Sequence, residues 1–149
     1  MPGSRGAKVL LGLVLLQIAL GGLVAGSRAG LTYNTWPLMD GELVPSLQAL
    51  FVVKPWIENF VDNVTLVQFN HRLVAYILLA AALIHAWRLR GTPAFRRARA
   101  LAGLVTAQAG LGIATLLLAV PLWAGLAHQV FAMMVLGMAT AHARLTRSP

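Results

Sequence analysis

The chain of 149 residues contains no cysteine. Disulfides, thiolate nucleophiles and iron–sulfur clusters are therefore excluded. Charge is scarce as well: Asp, Glu, Lys and Arg make up 11% of the residues, where soluble domains carry about 25%. Acids are scarcest. There are four, Asp40, Glu42, Glu58 and Asp62, all within the segment 28–65. With neither thiol nor helix-embedded carboxylate, the apolar runs cannot complete a zinc or copper site of three or four ligands.

What is present is hydrophobic, at 58% of the residues. About 20 apolar residues span a bilayer as a helix, so the length accommodates four spans and little else. The runs fall at 9–26, 63–88, 99–120 and 123–143. They predict one all-α membrane domain, a bundle of four transmembrane helices. The first run has the basic start and small residues (Ala25-Gly26-Ser27) of a signal peptide. Its apolar core exceeds the roughly 7–15 residues of such a peptide, and it is read as a retained span.

The formal net charge of +8 would suit nucleic acid, but its placement points elsewhere. Arg5, Lys8, Arg88, Arg90, Arg96, Arg97, Arg99, Arg144 and Arg147 sit at the chain ends and in one short loop, away from every acid. Such segregation is the positive-inside pattern. It places both termini in the cytoplasm and the loop 27–62 outside, with membrane lipid rather than nucleic acid as the surrounding partner. That loop mixes Tyr33, Trp36, Phe51 and Trp56 with prolines, as headgroup-level segments do. A short amphipathic helix is expected near 46–53, and Asn63 or Asp62 is expected to cap the second span.

The spans repeat. "LVLLQIALGG" in the first aligns with "LVTAQAGLGI" in the third, setting Gln17 over Gln108 and Gly21 over Gly112. "HRLVAYILLAAALIHA" aligns with "HQVFAMMVLGMATAHA", setting His71 over His128 and His85 over His142. The bundle is thus two repeated helical hairpins. All four histidines of the chain lie in this pattern. Each pair is 14 residues apart on its helix, about 21 Å along the axis and near one face. One pair, His71 and His128, belongs near the outer surface, and the other near the inner.

Two imidazoles facing across a bundle suit a haem, whose iron takes both axial positions. Ala75, Ala80, Ala81, Ala82, Gly110, Gly112, Gly137 and Ala139 are read as making room for it. Such a histidine can instead bond loop carbonyls at a helix end, but two in register across a repeat favour ligation. His85 and His142 lie beside Arg88 and Arg144, where they can sit among headgroups; a second haem there is the weaker reading. Arg72 is either a snorkelling cation near Asp62 or a clamp for a haem propionate. Gln17 and Gln108 are read as interhelical hydrogen-bonding groups, and Met133, Met134 and Met138 as core filling.

Taken together, "AGLTYNTWPLMDGELVP", "NFVDNVTLVQFNHR" and "LAHQ" resemble the haem A synthase family, the CtaA/Cox15-type cytochrome oxidase assembly proteins. The resemblance covers about 11–143. It implies an eight-helix membrane oxidoreductase of two similar halves, which oxidises the methyl group of haem O to the formyl group of haem A. It implies further that this chain corresponds to the C-terminal half, with His71 and His128 as axial ligands of one haem b, and haem O as substrate of the complete enzyme. In the other half of such proteins a glutamate stands three residues before the histidine that opens the second helix. Here that place is Gln68, which cannot cycle a proton, so no catalytic residue is assigned in this chain. The cysteine pair of some relatives is also missing. A separate N-terminal-half partner, a truncated reading frame and a homodimer all remain open, as do the electron donor and the oxidant.

Two other readings stand beside this one. A small cytochrome b-like electron carrier with bis-histidine haem would use both histidine pairs, but has no need of "YNTWPLM". A haem-free scaffold leaves the two outer histidines in register without a reason.

Overall fold

The computed structural model describes residues 2–146; Arg147 lies outside them. In chain order the helices are α1 (Pro2–Gly26), the short α2 (Ala29–Thr32), α3 (Leu47–Leu50) and α4 (Asn59–Asp62) of the long loop, then α5 (Val64–Arg88), α6 (Phe95–Leu117) and α7 (Leu122–Leu145). Among the described residues there is no β-strand beyond the single bridge of Met39 with Glu42. The four long helices are each long and apolar enough to cross a membrane. α1 begins seven residues before its apolar run, because the pattern continues there: Ala7 and Leu10 are buried while Arg5 and Lys8 stay exposed.

Each long helix packs against two others. α1 lies against α5 and α7, and α6 lies against the same two. α5 and α7, the histidine helices, therefore face each other across the bundle diagonal. The core repeats as the sequence does. Leu10 and Val14 of α1 are buried like Leu101 and Val105 of α6, and Leu78 and Ala82 of α5 like Val135 and Ala139 of α7. These positions recur at helical spacing and form one cluster, so each helix buries a stripe. Outward-facing Leu15, Ile77, Leu83 and Val130 are about half exposed, as a lipid-facing surface requires.

Some expectations about packing need correction. Met133 and Met134 face outward, and only Met138 packs against the core. Of the small residues read as making room inside, Ala80, Gly110 and Gly137 are exposed, while Ala82, Gly112 and Ala139 are on the inner side. The stripe is narrow, and neighbours at 100° steps leave it at once.

Two asparagines build the long loop. Asn59 is 0% exposed and holds Val53 through both backbone groups, at 2.9 Å each, with a further bond to Trp56 O at 2.7 Å. Asn63 caps α5: its Oδ1 accepts from Thr65 N and Leu66 N, while its amide donates to Ala49 O, Leu50 O and Asn59 Oδ1. Asp62 is exposed and takes no part in the cap. The helix expected near 46–53 is a single turn, α3, capped by Ser46 Oγ. "MDGE" makes a two-residue hairpin, with Asp40 and Gly41 at φ 53° and 85°, as the Asp-Gly pair favours. Gly30 of α2 rests on the α6–α7 turn, where an added Cβ would lie 2.7 Å from Val120 Cγ2.

Asn63→Ala removes a cap and takes the Asn63 donor from Ala49 O and Leu50 O, so it should cost about 2–4 kcal/mol. Asp62→Ala should stay within about 0.5 kcal/mol. Denaturation followed by circular dichroism in detergent compares the two; equal midpoints would contradict the assignment of the cap.

Candidate functional site

The bundle carries histidines at two levels, and they are built differently. At the outer level His71 of α5 rests against Gly21 of α1, where an added Cβ would lie 3.3 Å from Cε1 of the ring. His128 of α7 rests in the same way on Gly112 of α6, with Cε1 at 2.8 Å. At Gly112 an added methyl would force the ring to move, and at Gly21 it would make a tight contact. The backbone behind each ring is tied to the neighbouring helix by a glutamine: Gln17 Nε2 donates to His71 O at 3.1 Å, and Gln108 Nε2 to His128 O at 2.9 Å. The Gln17 amide nitrogen also lies 3.1 Å from His71 Nδ1 and 3.3 Å from its Nε2.

At the inner level the rings meet. His85 Nε2 and His142 Nε2 are 2.9 Å apart, with ring planes at 78°. One imidazole donates and the other accepts. Trans ligands on one metal stand about 4 Å apart, since each imidazole nitrogen is about 2 Å from the metal. This pair is therefore closed on itself, with no gap for a haem. It does not sit among headgroups either: His142 is 0% and His85 8% exposed. Gly6 backs His85, and a methyl there would collide with Nδ1 of the ring. The corresponding place in the second hairpin is Arg97, which donates to Leu145 O at 3.4 Å.

Arg72 is not paired with Asp62; the loop backbone holds it. Its guanidinium is buried and donates to four loop carbonyls: Tyr33 O (3.3 Å), Thr35 O (2.8 Å), Pro37 O (3.3 Å) and Leu38 O (3.2 Å). Asp62 is not among its partners. Thr65, Gln68 and Tyr76 extend the same stripe of α5. Tyr33 OH bonds Thr65 Oγ1 at 2.7 Å, Gln68 Nε2 donates to Tyr33 O at 2.8 Å, and Trp36 Nε1 donates to Tyr76 OH at 3.0 Å. "YNTWPLM" is thus the segment that α5 grips, beside His71. Sequence reasoning missed this stripe, although the 65, 68, 72, 76 spacing of polar groups in an apolar helix is its signal.

Among the described residues no three His, Cys, Asp or Glu side chains cluster as a metal site. The outer level offers two imidazoles from facing helices and no third ligand. A donor set of two suits a planar group that supplies its own equatorial ligands, as haem does. His128 Nδ1 is buried without a partner, an orphan that a ligated ring would put to use. The residues fit a haem at this level.

A four-helix membrane bundle with paired histidines defines a class, and the comparisons with known proteins narrow it. A family model, COX15-CtaA, described as "Cytochrome oxidase assembly protein", matches residues 4–140, and the chain belongs to this family. Curated relatives carry the name "Heme A synthase". That of Methylobacterium sp. (strain 4-46) is 75% identical over 135 residues, covering 88% of this chain and 38% of the relative. That of Methylobacterium nodulans is 72% identical over 137 residues, 89% of this chain and 38% of the relative. A more distant one, from Beijerinckia indica subsp. indica, is 55% identical over 141 residues, 92% and 39%. The chain thus spans about 38% of the length of the first two. No solved structure matches.

Two substitutions check the geometry. Gly112→Ala should cost about 1–3 kcal/mol, because His128 must move, whereas Gly110→Ala, with open space around it, should be neutral; equal thermal midpoints would contradict the contact. Arg72→Lys keeps the charge but loses the fork. It should speed cleavage of the loop after the exposed Glu42 by a glutamate-specific protease several-fold, and an unchanged rate would mean that the loop is held without Arg72.

Proposed function

We propose that the chain is the C-terminal, haem-b-binding half of a haem A synthase, with His71 and His128 as axial ligands of one haem. The observation that carries this is the outer level itself: two pseudo-equivalent imidazoles on facing helices, each backed by a glycine and each tied through its carbonyl to a glutamine. When bound, haem supplies iron redox chemistry in the apolar interior, and the protein supplies ligands, orientation and exclusion of water. In the complete enzyme the outcome is oxidation of the methyl group of haem O to the formyl group of haem A. Cytochrome c oxidase assembly consumes that product.

The residues of this chain divide the work. His71 and His128 hold the iron. Gly21 and Gly112 let the rings seat close to their neighbouring helices. Arg72, with Gln68, Thr65 and Tyr76, fixes the Tyr33–Met39 segment beside His71. Gln68 uses its donor on Tyr33 O and has no proton to exchange, so the acid–base step belongs to the rest of the enzyme. The orientation that the charges favour puts both termini and the arginine-rich α5–α6 turn in the cytoplasm, with the long loop outside the inner membrane. An electron carrier with two haems is the weaker reading, since its second site would need the closed His85–His142 pair.

A reduced-minus-oxidised spectrum of the detergent-purified chain, with pyridine haemochrome quantitation, tests this. The expected result is a low-spin b-type spectrum near one haem per chain, lost in His71→Ala and in His128→Ala and kept in His85→Ala. Loss in His85→Ala alone would overturn the assignment.

A further inference from the structure

The site leaves buried polar atoms unaccounted for, and they repeat with the hairpins. Gln17 Oε1 and Gln108 Oε1 are both buried without a partner, as is His128 Nδ1. Buried polar groups are nearly always bonded, so a matched pair of orphans at the level of His71 and His128 calls for a reason. The inner level has no glutamine; there the two Nε2 atoms bond each other, and His142 Nδ1 is left buried without a partner. The glutamines accompany only the outer rings.

We infer that Gln17 and Gln108 are positioning residues for the His71/His128 pair, each turning its amide oxygen to the ring N–H that coordination leaves on the far nitrogen. This rests on the haem reading above. A neutral imidazole has one lone pair and one N–H; giving the lone pair to iron commits the hydrogen to the other nitrogen. Ligating histidines almost always donate that hydrogen to a carboxylate, a carbonyl or water, which fixes the ring and strengthens its donation. Carboxylates are absent here, because Asp40, Glu42, Glu58 and Asp62 all lie exposed in the loop segment.

Carboxamide oxygens are what remains. The Gln17 amide nitrogen is already 3.1 Å from His71 Nδ1, so rotation of that amide brings Oε1 to the ring. On the other side His128 Nδ1 and Gln108 Oε1 are both unpaired, while the Gln108 amide nitrogen holds the carbonyl of that same histidine. Without iron, the Gln17 N–H groups cover the His71 carbonyl and ring nitrogen. With iron, the oxygens take over the ring hydrogens. The amide, carrying both a donor and an acceptor, serves both forms.

A pair of glutamines that merely staple helices would act only through the N–H bonds to His71 O and His128 O. Leu and Glu substitutions separate the two roles, since both lose that donor but only Glu keeps an acceptor. The test is the midpoint reduction potential of the haem-loaded full chain in detergent, together with haem retention measured by transfer to apomyoglobin. Gln17→Leu and Gln108→Leu should each raise the potential and weaken retention at least about ten-fold, the scale of lost outer-shell bonds. Gln17→Glu and Gln108→Glu should lower the potential and keep the haem. Shifts of the same sign in Leu and Glu variants, or no shift in either, would overturn the inference. Should a variant fail to fold, 15N spectra of the loaded ferrous wild-type chain decide: hydrogen-bonded far N–H groups on both rings support the inference, and unbonded ones overturn it. Retention of haem by His71→Ala and His128→Ala would instead remove the ligand reading beneath it.

Discussion

An imidazole ring laid against a glycine sets the spacing of this bundle. It happens three times, at Gly6 with His85, Gly21 with His71 and Gly112 with His128. At Gly6 and Gly112 a single methyl would push the ring away, and at Gly21 it would press tightly on it. These contacts fix the depth at which α5 and α7 sit between their neighbours, and so the gap across the diagonal. The fourth position of the pattern breaks it, because Arg97 stands where a glycine would complete the repeat. At that end His85 and His142 close on each other. The two levels therefore differ in kind, although the sequence presents them as equivalent pairs.

The outer level gains a second constraint from the long loop. Arg72, one residue from His71, is buried and needs partners, since a buried guanidinium without them is costly. Four carbonyls of the Tyr33–Leu38 segment supply them. The loop in turn has backbone acceptors that a membrane boundary satisfies poorly. Each solves the other's problem, and the histidine is held where the loop meets the helix. Asn59 and Asn63 do the same for residues 49–56. Family membership then makes sense of the strings: "YNTWPLM" and "VQFNHR" are the two faces of one clamp.

Much of this was legible in the residues. Four apolar runs gave four helices, and the aligned hairpins anticipated which positions would be buried together, Leu10 with Leu101 and Ala82 with Ala139. The register of His71 with His128 was readable because a repeat compares a chain with itself. What failed was of another kind. Arg72 looked like a partner for Asp62, because charge suggests charge; its guanidinium is held instead by backbone carbonyls, which no side-chain pattern announces. The inner histidines looked interfacial from the neighbouring arginines, yet His142 is fully buried, since one turn of helix separates the core from the rim. Met133 and Met134 were misplaced because Met suits lipid as well as a core. The role of Gly21 was hidden as well, because a glycine leaves no mark of what rests on it.

The central claim is that His71 and His128 together hold one haem across the diagonal. Near-infrared magnetic circular dichroism of the ferric haem-loaded chain tests it most directly, because its charge-transfer band reports the axial ligand pair. The account predicts a bis-imidazole band that disappears when either His71 or His128 is replaced and survives replacement of His142. A band of histidine–methionine type, or a bis-imidazole band that outlives the loss of His71 or His128, would contradict it.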